Sequence, residues 1–427
     1  MKLSGNRLRR MVGALSARLP EVGLDVVDDR RRRRGQRWEL ETILKAMLLG
    51  LMAGCKSLAD VEVLTAKLSV GARRKLRLPP MKDTTLRDAV VRLHPYEARE
   101  ALHRLVKAAE RRKALELLEG LPFHAASLDG KWSAIPSLDH HYAQQKTHDD
   151  GLKSYGMVRT ITSVLVTSSA KVVLDAMPVP AETNETGIFP HAFGALMRKY
   201  GGLVDLVMYD AGATSMENMA HVVGAGKHFL FCIADKRWLL FQKAELVLGD
   251  CREDRVQARS EEILSKSTSL VRSLFIATAP SGYKDWEHIR TILRVRYETV
   301  ENGVIVSEEN RYLVSSVAPT AITGKQWLAL IRSRWGVENN CHWTLDAIFK
   351  EDDHPWIEAD PRGTVVIMVL RRIAYDLLTL FRSVTLRSEE TRATPWKALL
   401  AWVYDALIAS TVAQLEDLRE REPLAFR

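Results

Sequence analysis

The most constraining feature of the chain is the order of its apolar runs after residue 122. His124 to Leu128 is a short strand-like run. Met157 to Thr167 and Lys171 to Met177 follow as a hairpin pair rich in β-branched residues. Phe189 to Tyr200 has helical spacing and is closed by Gly201-Gly202. Leu203 to Tyr209 reads as a buried strand, Met216 to Val223 as a helix, and His228 to Ile233 as another strand. Strand, strand, strand, helix, strand, helix, strand predicts an α/β fold built on one mixed sheet.

This core is flanked by different textures. In residues 1–120, Leu40, Ile43, Leu44, Met47, Leu48, Leu51 and Met52 recur at helical spacing, and Leu58, Val61 and Leu64 suggest a second helix. Pro79-Pro80 marks a break before Asp83-Thr84-Thr85-Leu86-Arg87, which resembles a helix start. These short helices are compatible with a helix-turn-helix, and equally with any helical bundle. Residues 240–320 mix a charged, helix-like piece from Cys251 to Ser267 with strands at Ile289 to Thr299 and Tyr312 to Val317. Helix returns at Thr323 to Phe349 and at Arg362 to Phe381. The expected division is an all-α region over 1–120, the first part of the core over 121–238, a β-rich insertion over 239–322, the helical last part of the core over 323–385, and a helical tail over 386–427.

Charge is distributed unevenly. Residues 1–120 hold 27 Lys and Arg against 15 Asp and Glu, a balance of +12, which leaves −3 for the remainder of a chain whose net charge is +9. A basic N-terminal region points to a polyanionic partner such as nucleic acid; a solvated basic surface is the plainer alternative. Arg30 to Arg34 is a run of five arginines, readable as a phosphate contact or as a charged linker. Cys55, Cys232, Cys251 and Cys341 are scattered without a C-x-x-C pair, which argues against a zinc knuckle or a disulfide framework and fits a reducing cytoplasm. The N-terminus has no secretory apolar region, and the run from Ile43 to Ala53 is too short to cross a bilayer.

The chemistry concentrates in carboxylates. Asp129 and Asp210 each follow an apolar strand-like run, and in α/β sheets sites gather at strand ends. Each is also an ordinary turn residue by itself. The first and fourth strands of this order can be neighbours, which would set the two aspartates side by side. Far downstream, Arg334, Glu338 and His342 lie four residues apart, on one face of a helix with about 3.6 residues per turn, flanked by Trp335 and Trp343. That stripe makes sense if Glu338 holds a metal ion while Arg334 and His342 face a phosphate backbone. Three carboxylates at one point repel unless hard divalent cations neutralise them. Two Mg²⁺ or Mn²⁺ ions between oxygen ligands are suited to phosphoryl transfer. Asp346, Asp352 and Asp353 form a second acidic patch that could replace Glu338 as a source of ligands. Lys131, Arg290, Arg294, Arg296 and Arg311 are candidate phosphate contacts, and Trp238 and Trp286 are candidate stacking platforms beside their plainer role as core residues.

Ser127-Leu128-Asp129-Gly130-Lys131, Tyr209-Asp210-Ala211, Arg334-Trp335-Gly336-Val337-Glu338-Asn339-Asn340, His342-Trp343, Leu345-Asp346 and Phe349-Lys350-Glu351-Asp352 together resemble bacterial insertion-sequence transposases of the DDE type. The likeness is nearest to their H-repeat-associated (ISAs-type) branch and spans roughly residues 25–380. It implies an RNase H-like catalytic core interrupted by a β-rich insertion and preceded by an all-α domain. It also implies Asp129, Asp210 and Glu338 as metal-binding catalytic residues, and Mg²⁺-dependent cleavage and strand transfer at terminal inverted repeats of double-stranded DNA. Arg31, Arg32, Arg33, Arg34, Arg87, Lys131, Arg334 and His342 are then the expected DNA contacts, with a homodimer in the synapse and a bacterial, nucleoid-associated cytoplasmic location. The wider group has a tyrosine and a lysine where this chain has Ile331 and Leu345, and the branch has Lys-Gly-Asn-Gln where this chain has Ala234-Asp235-Lys236-Arg237. Two other functions share most of these features: a DNA-binding protein descended from such an enzyme, and a metal-dependent nuclease without strand transfer.

Overall fold

A computed structural model describes residues 5–32, 36–136, 139–147, 151, 153–210, 212, 214–236, 239–280, 287–386 and 389–409. Six helices come first: α1 (Gly5–Arg18), α2 (Leu40–Met52), α3 (Leu58–Lys67), α4 (Val70–Leu76), α5 (Asp83–Arg92) and α6 (Pro95–Arg111). Their starts follow local chemistry. Ser57 and Ser69 accept backbone N–H groups of Asp60 and Ala72 and so cap α3 and α4. Pro95 sits in the first turn of α6, where its missing N–H costs nothing.

The sheet begins with β1 (Ala125–Pro136), β2 (Ala143–Thr147), β3 (Ser154–Leu165) and β4 (Val173–Val179). Then come α7 (Glu185–Tyr200), β5 (Leu206–Tyr209), α8 (Met216–Gly224) and β6 (His228–Ile233). β3 pairs antiparallel with β1 and β4, and β1, β5 and β6 are mutually parallel neighbours. The order β4-β3-β1-β5-β6, antiparallel on one side and parallel on the other, is an RNase H-like core. It matches the strand and helix order expected from the sequence.

The insertion consists of α9 (Leu239–Leu248), β7 (Ala258–Ile263), β8 (Thr268–Thr278), β9 (Thr291–Glu301) and β10 (Val304–Ser315). β10 pairs antiparallel with β6, and β9, β8 and β7 continue outward, so the insertion extends the core sheet. The chain then returns through α10 (Gly324–Arg334), a wide π-helical turn at Val337–His342, α11 (Trp343–Ala347), α12 (Pro361–Leu380), a second π turn (Phe381–Thr385), α13 (Glu389–Arg392) and α14 (Trp396–Ile408). Thr323 and Gln326 form the capping box that starts α10.

α12 organises the interior. Nearly every residue from Pro361 to Leu380 is buried, arginines included. It packs against α2, α5 and α6 as well as β3 and β4, and a hydrophobic helix with no polar face must be enclosed in this way. One apolar cluster accordingly runs from Met11 through the sheet to Leu407.

Three local expectations are revised, and the two tryptophans of the late stripe differ in setting. β1 does not stop before Asp129 but runs on to Pro136, because Gly130 to Pro136 keep their pairing with β3. The stretch 251–267 is not an α-helix: after a single 3-10 turn at Glu253–Arg255 it forms β7, an edge strand whose side chains are by turns half-buried and exposed. α7 starts four residues earlier than its apolar spacing suggests, at Glu185, with the Asn184 side chain accepting the Gly187 N–H. Trp335 and Trp343 do not share an environment: Trp335 packs edge-on against Tyr297, whereas Trp343 is 54% exposed.

Candidate active site

The site is built from backbone register. In the parallel pair β1/β5, Ala125, Ala126 and Ser127 lie opposite Leu206, Val207 and Met208. The pairing ends there; continued by two residues the same register leads to Asp129 and Asp210, and both act on the same two glutamates. Asp129 is thus a mid-strand residue facing Thr162 of β3, and Asp210 is the first residue beyond β5.

Glu338 is delivered to this pair by a tightly seated helix junction. The Ser127 hydroxyl donates to the Arg334 carbonyl at 2.9 Å, tying the end of α10 to β1. Gly336 lies so close to the strand layer that a Cβ there would stand 3.0 Å from Val166 Cγ1. Just beyond, the Trp343 N–H donates to the Glu338 carbonyl, five residues back. Such a widened turn re-aims side chains relative to a regular helix, and π turns occur often at functional sites. Here both Glu338 and His342 end beside the aspartates, His342 in direct contact with Asp129. His342 Nδ1 lies 3.0 Å from Asp129 Oδ2, while Arg334 Nη1 lies 3.5 Å from Asp210 Oδ1 and 3.9 Å from Glu338 Oε1. Arg334 thus reaches Asp210 and Glu338, and His342 reaches Asp129.

The electrostatics agree with the geometry. Burial, then the charge of Asp129 and that of Asp210, push the Glu338 carboxyl above its ordinary range, against the opposing pull of Arg334 and His342. A fourth acid, absent from the sequence reading, joins them. Glu185 opens α7, and burial followed by Asp129 and Asp210 raises its carboxyl in the same direction. The only sequence signal was Asn184-Glu185 as a capping residue followed by a first-turn acid, which is common at any helix start. Arg334 is buried and is held over the Trp335 ring at 5.0 Å, with Arg311 of β10 over the same ring at 4.7 Å. The insertion thereby braces the arginine that separates two acids.

Among the described residues, no three His, Cys, Asp or Glu side chains stand close enough together to ligate an ion. The donor chemistry nevertheless fits a hard divalent cation. The converging groups are carboxylate oxygens, two of them are raised by burial and then by the neighbouring aspartates, and a buried guanidinium already stands between Asp210 and Glu338.

The remaining expected site residues divide. Lys131 does not face open solvent: its Nζ lies 2.8 Å from both Asp346 and Asp352, so the second acidic patch is spent on a lysine rather than on a metal. Arg31 is also turned inward, donating to Asp29 at 2.7 Å and to the Trp38 carbonyl at 2.7 Å, because a guanidinium at this depth requires such partners. Arg32 and Arg87 are exposed. Arg33 and Arg34 lie outside the described residues, as do Trp238 and Trp286. In the insertion, Arg294 is buried over Phe275 and bonded to the Cys251 carbonyl at 2.9 Å, and Arg296 pairs with Glu253 and Glu298. Ile331 and Leu345, where the family pattern carries polar groups, are core residues here.

The β4-β3-β1-β5-β6 sheet, with one acid on β1, one just after β5 and a further acid on a returning helical turn, is the architecture of an RNase H-like core. Residues 124–377, more than half the chain, match the family described as Transposase DDE domain. The chain belongs to the DDE transposase domain family. Members of this family in general use divalent metal ions. No curated protein matches. Among solved structures, the piggyBac transposase synaptic complex with hairpin DNA is similar at 13% identity and a TM-score of 0.43, over 97% of this chain and 80% of that one. Among the described residues no helix is long and apolar enough to cross a membrane.

Proposed function

We propose that this protein is the DNA transposase of a bacterial insertion sequence of the H-repeat-associated branch. It binds the terminal inverted repeats of its element and carries out metal-dependent strand cleavage and strand transfer. Asp129, Asp210 and Glu338 are its catalytic carboxylates. The observation that carries this reading is the register that leads to Asp129 and Asp210, with Arg334 within 3.5 Å of Asp210 and 3.9 Å of Glu338.

The three carboxylates would hold Mg²⁺ or Mn²⁺, as two ions. When bound, these supply activation of the attacking oxygen and charge stabilisation at the leaving oxygen. Arg334 is the phosphate-neutralising group, since its guanidinium is buried, always charged and already aimed between two acids. His342 orients Asp129 through its Nδ1, which leaves the buried Nε2 without a hydrogen-bond partner. Exposed Asn339 and Asn340 on the outer side of the π turn are placed to bond a DNA backbone. Arg32 and Arg87 add phosphate contacts on the basic helical region, with Arg33 and Arg34 next to them in sequence. Double-stranded DNA is the partner, a homodimer the expected synaptic form, and the bacterial nucleoid the place of action.

The test uses the full chain, a duplex carrying the inverted repeats that flank its gene, Mg²⁺ and a supercoiled target. The expected result is nicking at the repeat ends followed by joined products, with Asp129→Ala retaining DNA binding and losing both. Binding without nicking by the wild-type protein would leave a DNA-binding descendant of a transposase. Nicking without joined products would leave a nuclease.

A further inference from the structure

Glu185 is used by nothing described so far, yet its surroundings are unusual for a first-turn acid. Its carboxylate lies across two glycines, each just after a site aspartate. A Cβ built on Gly130 would fall 1.8 Å from Oε1, and one on Gly212 would fall 3.8 Å from Oε2. The acid can reach its place only because residue 130 has no side chain.

The start of α7 is fixed there from several directions. The Thr186 hydroxyl donates to the Gly212 carbonyl at 2.8 Å, and Asn218 Nδ2 donates to the Thr186 carbonyl at 3.4 Å. Arg159 Nη2 donates to the carbonyls of Pro180 and Thr183 at 3.2 and 2.6 Å, holding the approach to the helix. The Glu185 carboxylate itself makes no hydrogen bond or ion pair among the described residues. A partly buried carboxylate that faces two others and has no cationic partner in contact is costly unless a cation joins it.

We propose that Glu185 is a further carboxylate of the divalent-metal centre, contributed by α7 from the side opposite the Glu338 helix to the Asp129–Asp210 pair. The proposal rests on the metal-dependent reading of that pair. Its competitor is purely structural: an acid at N1 that favours the α7 dipole. The two differ in sign. A dipole acid stabilises the metal-free fold, so its removal lowers the melting temperature. A ligand held against like charges destabilises that fold, so its removal raises it.

The experiment titrates Mn²⁺ into the full chain, followed by calorimetry and by the Mn²⁺-induced rise in melting temperature. The variants are Glu185→Gln, Glu185→Asp, Gly130→Ala and Asp129→Asn. Glu185→Gln is expected to weaken Mn²⁺ binding at least tenfold and to melt higher than wild type without metal. Gly130→Ala should weaken binding comparably, because its methyl group takes the space of Oε1. Glu185→Asp, which keeps the charge, should bind better than the Gln variant. Wild-type Mn²⁺ affinity in Glu185→Gln, or in Gly130→Ala if the former fails to fold, alongside loss in Asp129→Asn, would overturn the role of Glu185 and leave the catalytic assignment intact. Unchanged affinity in Asp129→Asn would overturn both.

Discussion

Glu351 and Asp129 are both acids at the sheet–helix boundary, but their surroundings differ. Glu351 is fully buried and receives Arg372 Nη1 on its two oxygens at 3.0 and 2.8 Å, with Arg371 behind it. Burial alone would raise its carboxyl, yet Arg372 and Arg371 outweigh that and hold it below the ordinary range. Asp175 behaves alike: Arg99 reaches it with two bonds of 2.9 and 2.6 Å and His103 approaches at 3.1 Å, and its carboxyl is held well below 3.8. At the candidate site the balance reverses. Asp129, Asp210, Glu338 and Glu185 have Arg334, His342 and, for Glu185, the more distant Arg159 against them, and both glutamates are still pushed upward. Glu351 and Asp175 are thus neutralised within the fold, whereas the site glutamates are under-compensated; burial also raises Asp376, which among the described residues has no cation beside it and accepts only the Val173 N–H. Excess negative charge at the candidate site is a cost to folding that a cationic ligand removes, and such conflicts mark functional sites.

The sharpest way to break this comparison is to neutralise one acid in each region. Asp129→Asn, Asp210→Asn or Glu338→Gln should lower cleavage on the order of 10³-fold, about 4 kcal/mol in the barrier, with no loss of metal-free melting temperature. Gel assays on end-labelled duplex and thermal melts check both halves. A large drop in stability would place the site acid among the structural ones. Glu351→Gln should do the opposite. It leaves Arg371 and Arg372 buried without their counter-charge and should cost about 3–5 kcal/mol in urea unfolding. Its cleavage per folded molecule should stay near wild type.

The pH dependence separates the regions by sign. Glu338 and Glu185 have folded values above the ordinary 4.5, so their ionisation opposes folding. Their contribution to metal-free stability is full below 4.5 and is lost as pH rises through the raised values. Asp175, held below 3.8, contributes stability that is present above 3.8 and is lost as pH falls through its lower folded value. Melting curves in chelator should show both limbs, and Asp129→Asn should shrink the upper one, since Asp129 is the first charge raising both glutamates. An upper limb unchanged in that variant would mean that the acids do not sense one another. The smallest effect is expected from Arg32→Ala, which should reduce the log–log salt slope of DNA binding by about 1 and weaken all sequences alike. An unchanged slope would make this stretch a linker.

Much of the core was legible because its signals are periodic and local. The β-branched hairpin became β3 and β4, and Leu203 to Tyr209 became the strand ahead of Asp210. The Arg334-Glu338-His342 spacing pointed to one face; Arg334 and His342 each reach an aspartate, and Glu338 reaches Arg334. Failures came where a local signal had two tertiary outcomes. Arg31 belongs to a run that looks like a phosphate contact, but one member pairs with Asp29 inside the fold. Lys131 follows a site acid yet is claimed by Asp346 and Asp352. The strand β7 was hidden because Glu261 and Glu262 suit a helix, and only its pairing with β8 makes it a strand.

The sequence by itself determined the alternation of strands and helices, the placing of acids beside apolar strands, and the charged stripe on the late helix, since each depends on neighbours a few residues apart. Tertiary structure alone decided that β1 and β5 pair in the register that leads to Asp129 and Asp210, that a π turn carries Glu338 and His342, and that Glu185 folds over Gly130. Those outcomes depend on strand pairing and on the absence of one Cβ between segments distant in sequence. Close packing sets such contacts, and no local pattern encodes them.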